Sequence, residues 1–299
     1  MKNLLTIVLI MLTCIIMRAQ TFSEVIKKEF VFEKKSDANA LMLFNINGDV
    51  KISGYNGDKI IIEVERKIIG KTPARLEEGK QEIALGFLDK ADTLILYTKG
   101  LCNTFGKYNQ VNARRDNKKY NGYGYDWNNC SDKGSDEKSY DYEMNFTIKV
   151  PNNIHIMAST INNGDILIDN TTKSVVADNI NGSISLNNIT GSTRVSTING
   201  NVDLHYVSNP PSDSRYYTLN GDINATFKKG LKADLAFESF NGELFTNIEQ
   251  LEAIPNNLEK KVTTKGLKYK VGKTKYRIGN GGVLLDFETF NGNVYIKEM

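Results

Sequence analysis

The sequence predicts an all-β chain wound as a parallel β-solenoid, with rungs of about 18–21 residues. Three observations lead there. First, one phrase keeps returning: a small polar residue, a large apolar residue, Asn, Gly and a polar residue. Its turns are Asn47-Gly48, Asn163-Gly164, Asn181-Gly182, Asn199-Gly200, Asn220-Gly221, Asn241-Gly242 and Asn291-Gly292. Second, the spacing is regular. Gly164 to Gly182 and Gly182 to Gly200 are 18 residues each, and Gly200 to Gly221 and Gly221 to Gly242 are 21 each. Third, apolar and polar residues alternate after each Asn-Gly, as in Ile166/Ile168, Ile184/Leu186 and Val202/Leu204. Such alternation marks a half-buried strand.

A unit this short cannot bury its own apolar face and must stack on its neighbours. Superposed units place Ile166, Ile184, Val202, Ile223 and Leu244 in one interior column. Ile168, Leu186, Leu204 and Ala225 form a second. Asn-Gly supplies the turn, because Gly tolerates positive φ and Asn tolerates it next best. Stacking the turns at one corner lets the Asn side chains bond up and down a ladder. Asn-Gly also marks two-residue hairpins, so an antiparallel meander is the competing arrangement.

In chain order, residues 1–20 read as a signal peptide. Lys2 gives a basic start, the apolar run from Leu4 to Met17 is short for a membrane span, and Arg18-Ala19-Gln20 offers a cleavage site. A retained anchor is the alternative, and Cys14 raises lipoprotein processing in a poor lipobox context. The mature chain, residues 21–299, is then one exported domain in the periplasm, on the outer-membrane surface or outside the cell. Losing Lys2 and Arg18 takes the 38 basic residues to 36, against 35 acidic. That balance argues against a nucleic-acid partner, which requires a concentrated basic surface. No later segment has the length and apolarity of a transmembrane helix.

Strand-like runs follow at Lys28–Phe32, Leu41–Phe44, Val50–Ile52, Ile60–Val64 and Leu94–Tyr97. Between them residues 73–85 read as a short helix, with Thr72 as cap and Pro73 at the favoured first position. Gly79 weakens it. Residues 100–141 lose all apolar periodicity and form a long insert loop. Alternation resumes at Met144–Val150 and leads into the main repeat. The stretch from Asn247 to Thr274 is a basic excursion, and Gly279-Asn280-Gly281-Gly282 restarts the strands.

Three phrases resemble the bacterial putative adhesin domain of unknown function, itself related to the autotransporter-adhesin head domain. They are Phe146-Thr147-Ile148-Lys149-Val150-Pro151 leading into Ser159–Ile166, the repeated Ser/Thr-apolar-Asn-Gly, and Ile278-Gly279-Asn280-Gly281-Gly282 followed by Phe287–Val294. The resemblance implies a β-solenoid at the cell envelope with no established catalytic residues. Residues 100–141 match no motif of that family.

The chemistry points the same way. His155 and His205 stand in strand-like runs without a nearby Ser, Cys or carboxylate motif. Asp165, Asp203, Asp222 and Glu243 read as solvated corner residues. A carbohydrate-active β-helix enzyme, the alternative function, needs two carboxylates converging in a groove. Calcium-binding repeats need Gly-Gly-x-Gly-x-Asp, which this chain lacks. Gly279–Gly282 is followed by no helix, so it is no phosphate loop. No cofactor or metal is expected. The candidate binding residues lie in the insert: Tyr123, Tyr125 and Trp127, which alternate, with Arg114 and Arg115. Aromatic rings of this kind anchor proteins or stack on sugars, and they also serve as caps on a core. Cys102 and Cys130 are the two cysteines left after export, and an oxidising compartment would pair them across the insert. The expected role is a non-catalytic, adhesin-like binding or scaffold protein whose partner is an unknown envelope protein or glycan.

Overall fold

Period-two alternation becomes strand almost wherever the sequence carries it. The computed structural model describes residues 19–100, 104–107, 122–126, 140–255, 258–264 and 266–299. Residues 1–18, most of the segment expected to be a signal peptide, lie outside them. The strands are β1 (Gln20–Val31), β2 (Ala40–Phe44), β3 (Val50–Tyr55), β4 (Lys59–Gly70), β5 (Ala84–Asp89), β6 (Thr93–Lys99), β7 (Thr104–Lys107), β8 (Tyr123–Asp126) and β9 (Tyr140–Pro151). The repeat supplies β10 (His155–Thr160), β11 (Ile166–Asp169), β12 (Val175–Asn179), β13 (Ile184–Ile189), β14 (Thr193–Asn199), β15 (Val202–Tyr206), β16 (Ser214–Asn220) and β17 (Ile223–Phe227). Then come β18 (Ala233–Asn241), β19 (Leu244–Thr246), β20 (Leu251–Ile254), β21 (Leu258–Thr263), β22 (Gly266–Val271), β23 (Thr274–Ile278), β24 (Val283–Asn291) and β25 (Val294–Glu298).

Among the described residues one helix interrupts them, α1 (Pro73–Glu82). Thr72 caps it, its hydroxyl oxygen accepting from the Arg75 N–H at 3.3 Å. It stops three residues before the sequence boundary because Ala84–Asp89 pair antiparallel with β6 instead. Gly79 has a packing reason: a Cβ there would lie 2.7 Å from Ile68 and 2.9 Å from the Tyr140 ring, where the helix crosses the sheet.

Two large mixed sheets carry the fold. One runs β1-β4-β9-β3-β11-β13-β15-β17-β25-β19, the other β20-β23-β18-β24-β16-β14-β12-β10-β2-β6-β5. From β10 to β19 the chain alternates between them, strand by strand, and each strand pairs parallel with its equivalents in neighbouring coils. The parallel pairing removes the meander. Antiparallel strands close the ends: β4 and β1 beyond β9, β5 beyond β6, and β23 and β20 beyond β18.

The core lies between the sheets. Val50, Ile166, Ile184, Val202, Ile223 and Val294 form one fully buried column, with Phe146 beyond Val50 and half-buried Leu244 at the far end. This order corrects the column read from the sequence. Val294 stands between Ile223 and Leu244, because the last coil, β24–β25, inserts between β16–β17 and β18–β19. Toward that end aromatics fill the interior, with Tyr206 stacked on Phe227 at 5.0 Å and the tilted rings of Tyr216 and Phe287 4.6 Å apart.

Candidate functional site

The Asn-Gly corner holds three parallel ladders, each built from one position of the repeated phrase. Asparagine amides bond to one another from coil to coil. Asn181 donates to Asn162 at 3.2 Å, Asn199 to Asn181 at 2.8 Å, Asn220 to Asn199 at 2.9 Å, Asn291 to Asn220 at 2.8 Å and Asn241 to Asn291 at 2.9 Å. The ladder takes Asn162, whereas Asn163 is an inserted residue held at φ 52°.

The small polar residue two places before each Asn bonds inward. The hydroxyls of Thr160, Thr197, Thr218 and Thr289 donate to the carbonyl oxygens of Gly48, Gly182, Gly200 and Gly221 in the adjacent coil. Asn179 does the same to Gly164. These side chains are buried, so the bonds satisfy groups that water cannot reach.

The residue after each Gly completes the set. Asp49 accepts from the Asp165 N–H, Asp165 from Ser183, Ser183 from Asn201, Asn201 from Asp222, Asp222 from Asn293 and Asn293 from Glu243, at 2.7–3.2 Å. Asp203 accepts instead from the Asn224 amide at 2.8 Å. The corner acids therefore tie coil to coil, and they are dispersed along the corner rather than converging. Among the described residues no three His, Cys, Asp or Glu side chains gather as a metal cluster. His155 lies between the Ser174 hydroxyl, 2.6 Å from Nδ1, and the Asp37 carbonyl, 3.0 Å from Nε2.

The apolar residue of the phrase points outward. Register aligns Ile46, Ile161, Ile180, Ile198, Leu219, Phe290 and Phe240 in one stripe beside the asparagine ladder. The stripe is covered at one end and open at the other. Ile46 is buried, Ile180 and Ile198 are each 38% exposed, Phe290 44% and Phe240 74%. The Phe240 and Phe290 rings stack at 4.8 Å, 3° from parallel. Sequence reasoning used this position only as part of the turn signal. The clue was that an outward position holds Ile, Leu or Phe at every copy.

The cover comes from the insert. β7 and β8 pair antiparallel as a hairpin. It lies on the outer face of the second sheet over Met42, Phe44, Ile46 and Ile95. Phe105 stacks on Tyr97 at 4.2 Å and meets Phe44 at 5.0 Å and Tyr125 at 5.3 Å. Tyr125 is buried. Its hydroxyl donates to the Phe44 carbonyl at 2.7 Å and accepts from the Thr98 N–H at 3.0 Å. Burial pushes its phenol well above the usual tyrosine range. Tyr123 lies under the Lys90 ammonium, 4.6 Å from the ring centre. Of the residues singled out in the insert, the structure thus brings Tyr123 and Tyr125 together on a hydrophobic patch. Trp127, Arg114, Arg115, Cys102 and Cys130 lie outside the described residues.

No family model matches the chain, and no curated protein matches it. Among solved structures, the chain is similar to a putative cell adhesion protein from Clostridium sporogenes, at 12% identity over 94% of this chain and 100% of that one, with a TM-score of 0.40. It is also similar to a putative adhesin from Bacteroides fragilis, at 11% identity over 92% and 97% of the two chains, with a TM-score of 0.36.

Proposed function

We propose that this chain is an exported, non-catalytic parallel β-solenoid, adhesin-like in character, that binds an envelope protein or glycan along its asparagine corner. The solenoid reading is supported by the alternation of strands between two sheets and by their parallel registers. The leader-like residues 1–20 support export. The observation that carries the binding role is the open end of the apolar stripe. Phe240 and Phe290 present a stacked pair of rings to solvent, flanked by a line of amides. Large apolar groups in contiguous exposure mark interaction sites, and flat aromatic faces suit either a sugar ring or an apolar side chain. The aromatic insert hairpin then serves as the stripe's cover at the other end, with Tyr125 as its anchor.

The test compares the protein with a Phe240→Ala, Phe290→Ala variant, using a glycan array and a panel of purified envelope proteins. Binding seen with the parent should weaken about tenfold or more in the variant, as at interface hot spots. Thermal stability should change little, because exposed rings contribute little to the fold. Undiminished binding by the double variant would exclude the corner.

A further inference from the structure

The edge strand β1 carries a sequence that is complementary to itself. It is twelve residues long and bonds to β4 over its whole length, from Gln20 opposite Gly70 to Val31 opposite Lys59. Among the described residues no strand pairs with its other edge. Twelve residues leave a row of unpaired N–H and C=O groups about 40 Å long. The other sheet edges are shorter, with three residues in β19, four in β20 and six in β5.

One face of β1 reads Phe22, Glu24, Ile26, Lys28, Phe30. Read backwards, the order of types is the same with the charges exchanged. We propose that β1 pairs antiparallel with β1 of a second copy about a twofold axis at Ile26. In that register Phe22 opposes the partner's Phe30, Glu24 opposes the partner's Lys28, and Ile26 opposes the partner's Ile26. Both charge pairs are opposite in sign, and both aromatic pairs match, as cross-strand neighbours favour. On the other face Val25 opposes the partner's Lys27, and Ser23 the partner's Glu29. Neighbouring registers are worse. Centring on Val25 sets Phe22 against Lys28, and centring on Lys27 sets that lysine against itself. A twofold contact of this kind is isologous and closes at two copies.

The core at this end is also unfinished. Phe22, Ile26 and Phe30 pack against the main core yet stay half-exposed, while the columns further in are fully buried. A second β1 would extend the sheet over them. The charged groups already there fit this arrangement. Glu24 forms an ion pair with Arg66, its carboxylate 2.8 Å from Nε, and Lys28 sits 5.0 Å over the Phe87 ring. The partner's Lys28 would share the Glu24 carboxylate with Arg66. This pairing uses none of the residues of the asparagine ladder or of the exposed Phe240–Phe290 pair, so the two readings can fail separately.

Sedimentation velocity of the full chain should show a concentration-dependent dimer. Lys28→Glu sets carboxylates against each other at two symmetric positions and should weaken the dimer about tenfold, with an unchanged melting temperature as the check on folding. The register has its own probe. Ile26→Cys, oxidised with diamide, should give a covalent dimer beyond the level of the unsubstituted protein. Phe22→Cys should not, because in this register the two copies of that residue lie eight positions apart, about 27 Å. A monomer at about 100 μM, where even micromolar affinity would be saturated, overturns the proposal. So does equal cross-linking from both cysteine variants.

Discussion

A methyl group added to Gly200 would lie 2.2 Å from the carbonyl oxygen of Gly182. The same close approach recurs from coil to coil: 2.0 Å for Gly164 on Gly48, 2.1 Å for Gly182 on Gly164, 2.1 Å for Gly221 on Gly200 and 1.9 Å for Gly292 on Gly221. The sequence supported glycine here through its tolerance of positive φ, and Gly48, at φ 112°, meets that need. Gly164 and Gly200 are not in the left-handed region, so their requirement is the neighbouring backbone. A contact between residues 18 positions apart leaves no local trace, which is why only half of the reason was legible. Gly200→Ala should therefore cost about 1–3 kcal/mol in chemical denaturation, as overpacking does. Gly106→Ala, where a Cβ meets nothing within 4 Å, should be near neutral. Equal effects would contradict the stacking account. Inside the core, the Tyr206 and Tyr216 hydroxyls lie 2.9 Å apart, and Thr193 lies 2.5 Å from Tyr206. Burial raises both phenols above the usual tyrosine value. The unfolded chain ionises its tyrosines near pH 10, while the folded chain keeps these protonated. Their contribution is thus complete below about pH 10 and is lost as pH rises beyond it. Melting temperatures should hold up to that point and then fall, and a flat profile through about pH 11 would count against the burial of this pair.

At the scale of elements, strands were readable because their period is local. Each run named from the sequence falls on a strand, apart from Phe32, which lies one residue past the end of β1; β1 and β4 in turn begin or end well beyond the runs at Lys28–Phe32 and Ile60–Val64. The extension comes from pairing. β1 and β4 match residue for residue over twelve positions, a partnership that composition does not reveal. The helix boundary was missed for the same reason, since β6 recruits Ala84–Asp89. The insert hairpin was the least legible element. Tyr123 and Tyr125 were visible as a pair, but the patch they cover belongs to β2 and β6, far away in sequence. Tyr125→Phe tests the covering role directly. It removes the donor to Phe44 and leaves the Thr98 N–H buried without that acceptor. The expected cost is about 1–3 kcal/mol in thermal or chemical denaturation. An unaffected stability would free the ring for recognition instead.

On the scale of the whole molecule, periodicity showed which segments are alike but not the order in which they stack. The phrase at Thr289–Val294 is as good a copy as its predecessors, so it reads as the end of the array. In the fold it is internal. β24 lies between β16 and β18, and β25 between β17 and β19, while β23, with β20 beyond it, flanks β18 on the far side. Side-chain matching favours this order. Phe287 packs against Tyr216 with ring centres 4.6 Å apart, Thr289 bonds to the Gly221 carbonyl, and the amide of Asn291 joins those of Asn220 and Asn241. The arrangement makes a prediction at odds with the usual behaviour of chain ends, which fray. The last strand has neighbours on both sides, with the Val294 N–H donating to the Glu243 carbonyl at 2.9 Å and its side chain fully buried. Native-state hydrogen exchange should therefore find Val294 and Ile296 as slow as Val202 and Ile223 in the middle of the array. Leu244 to Thr246, fifty residues earlier but at the sheet edge, should exchange faster. If the final strand exchanged as fast as Leu244 to Thr246, the coils would be stacked in sequence order, and the insertion of β24–β25 would be wrong.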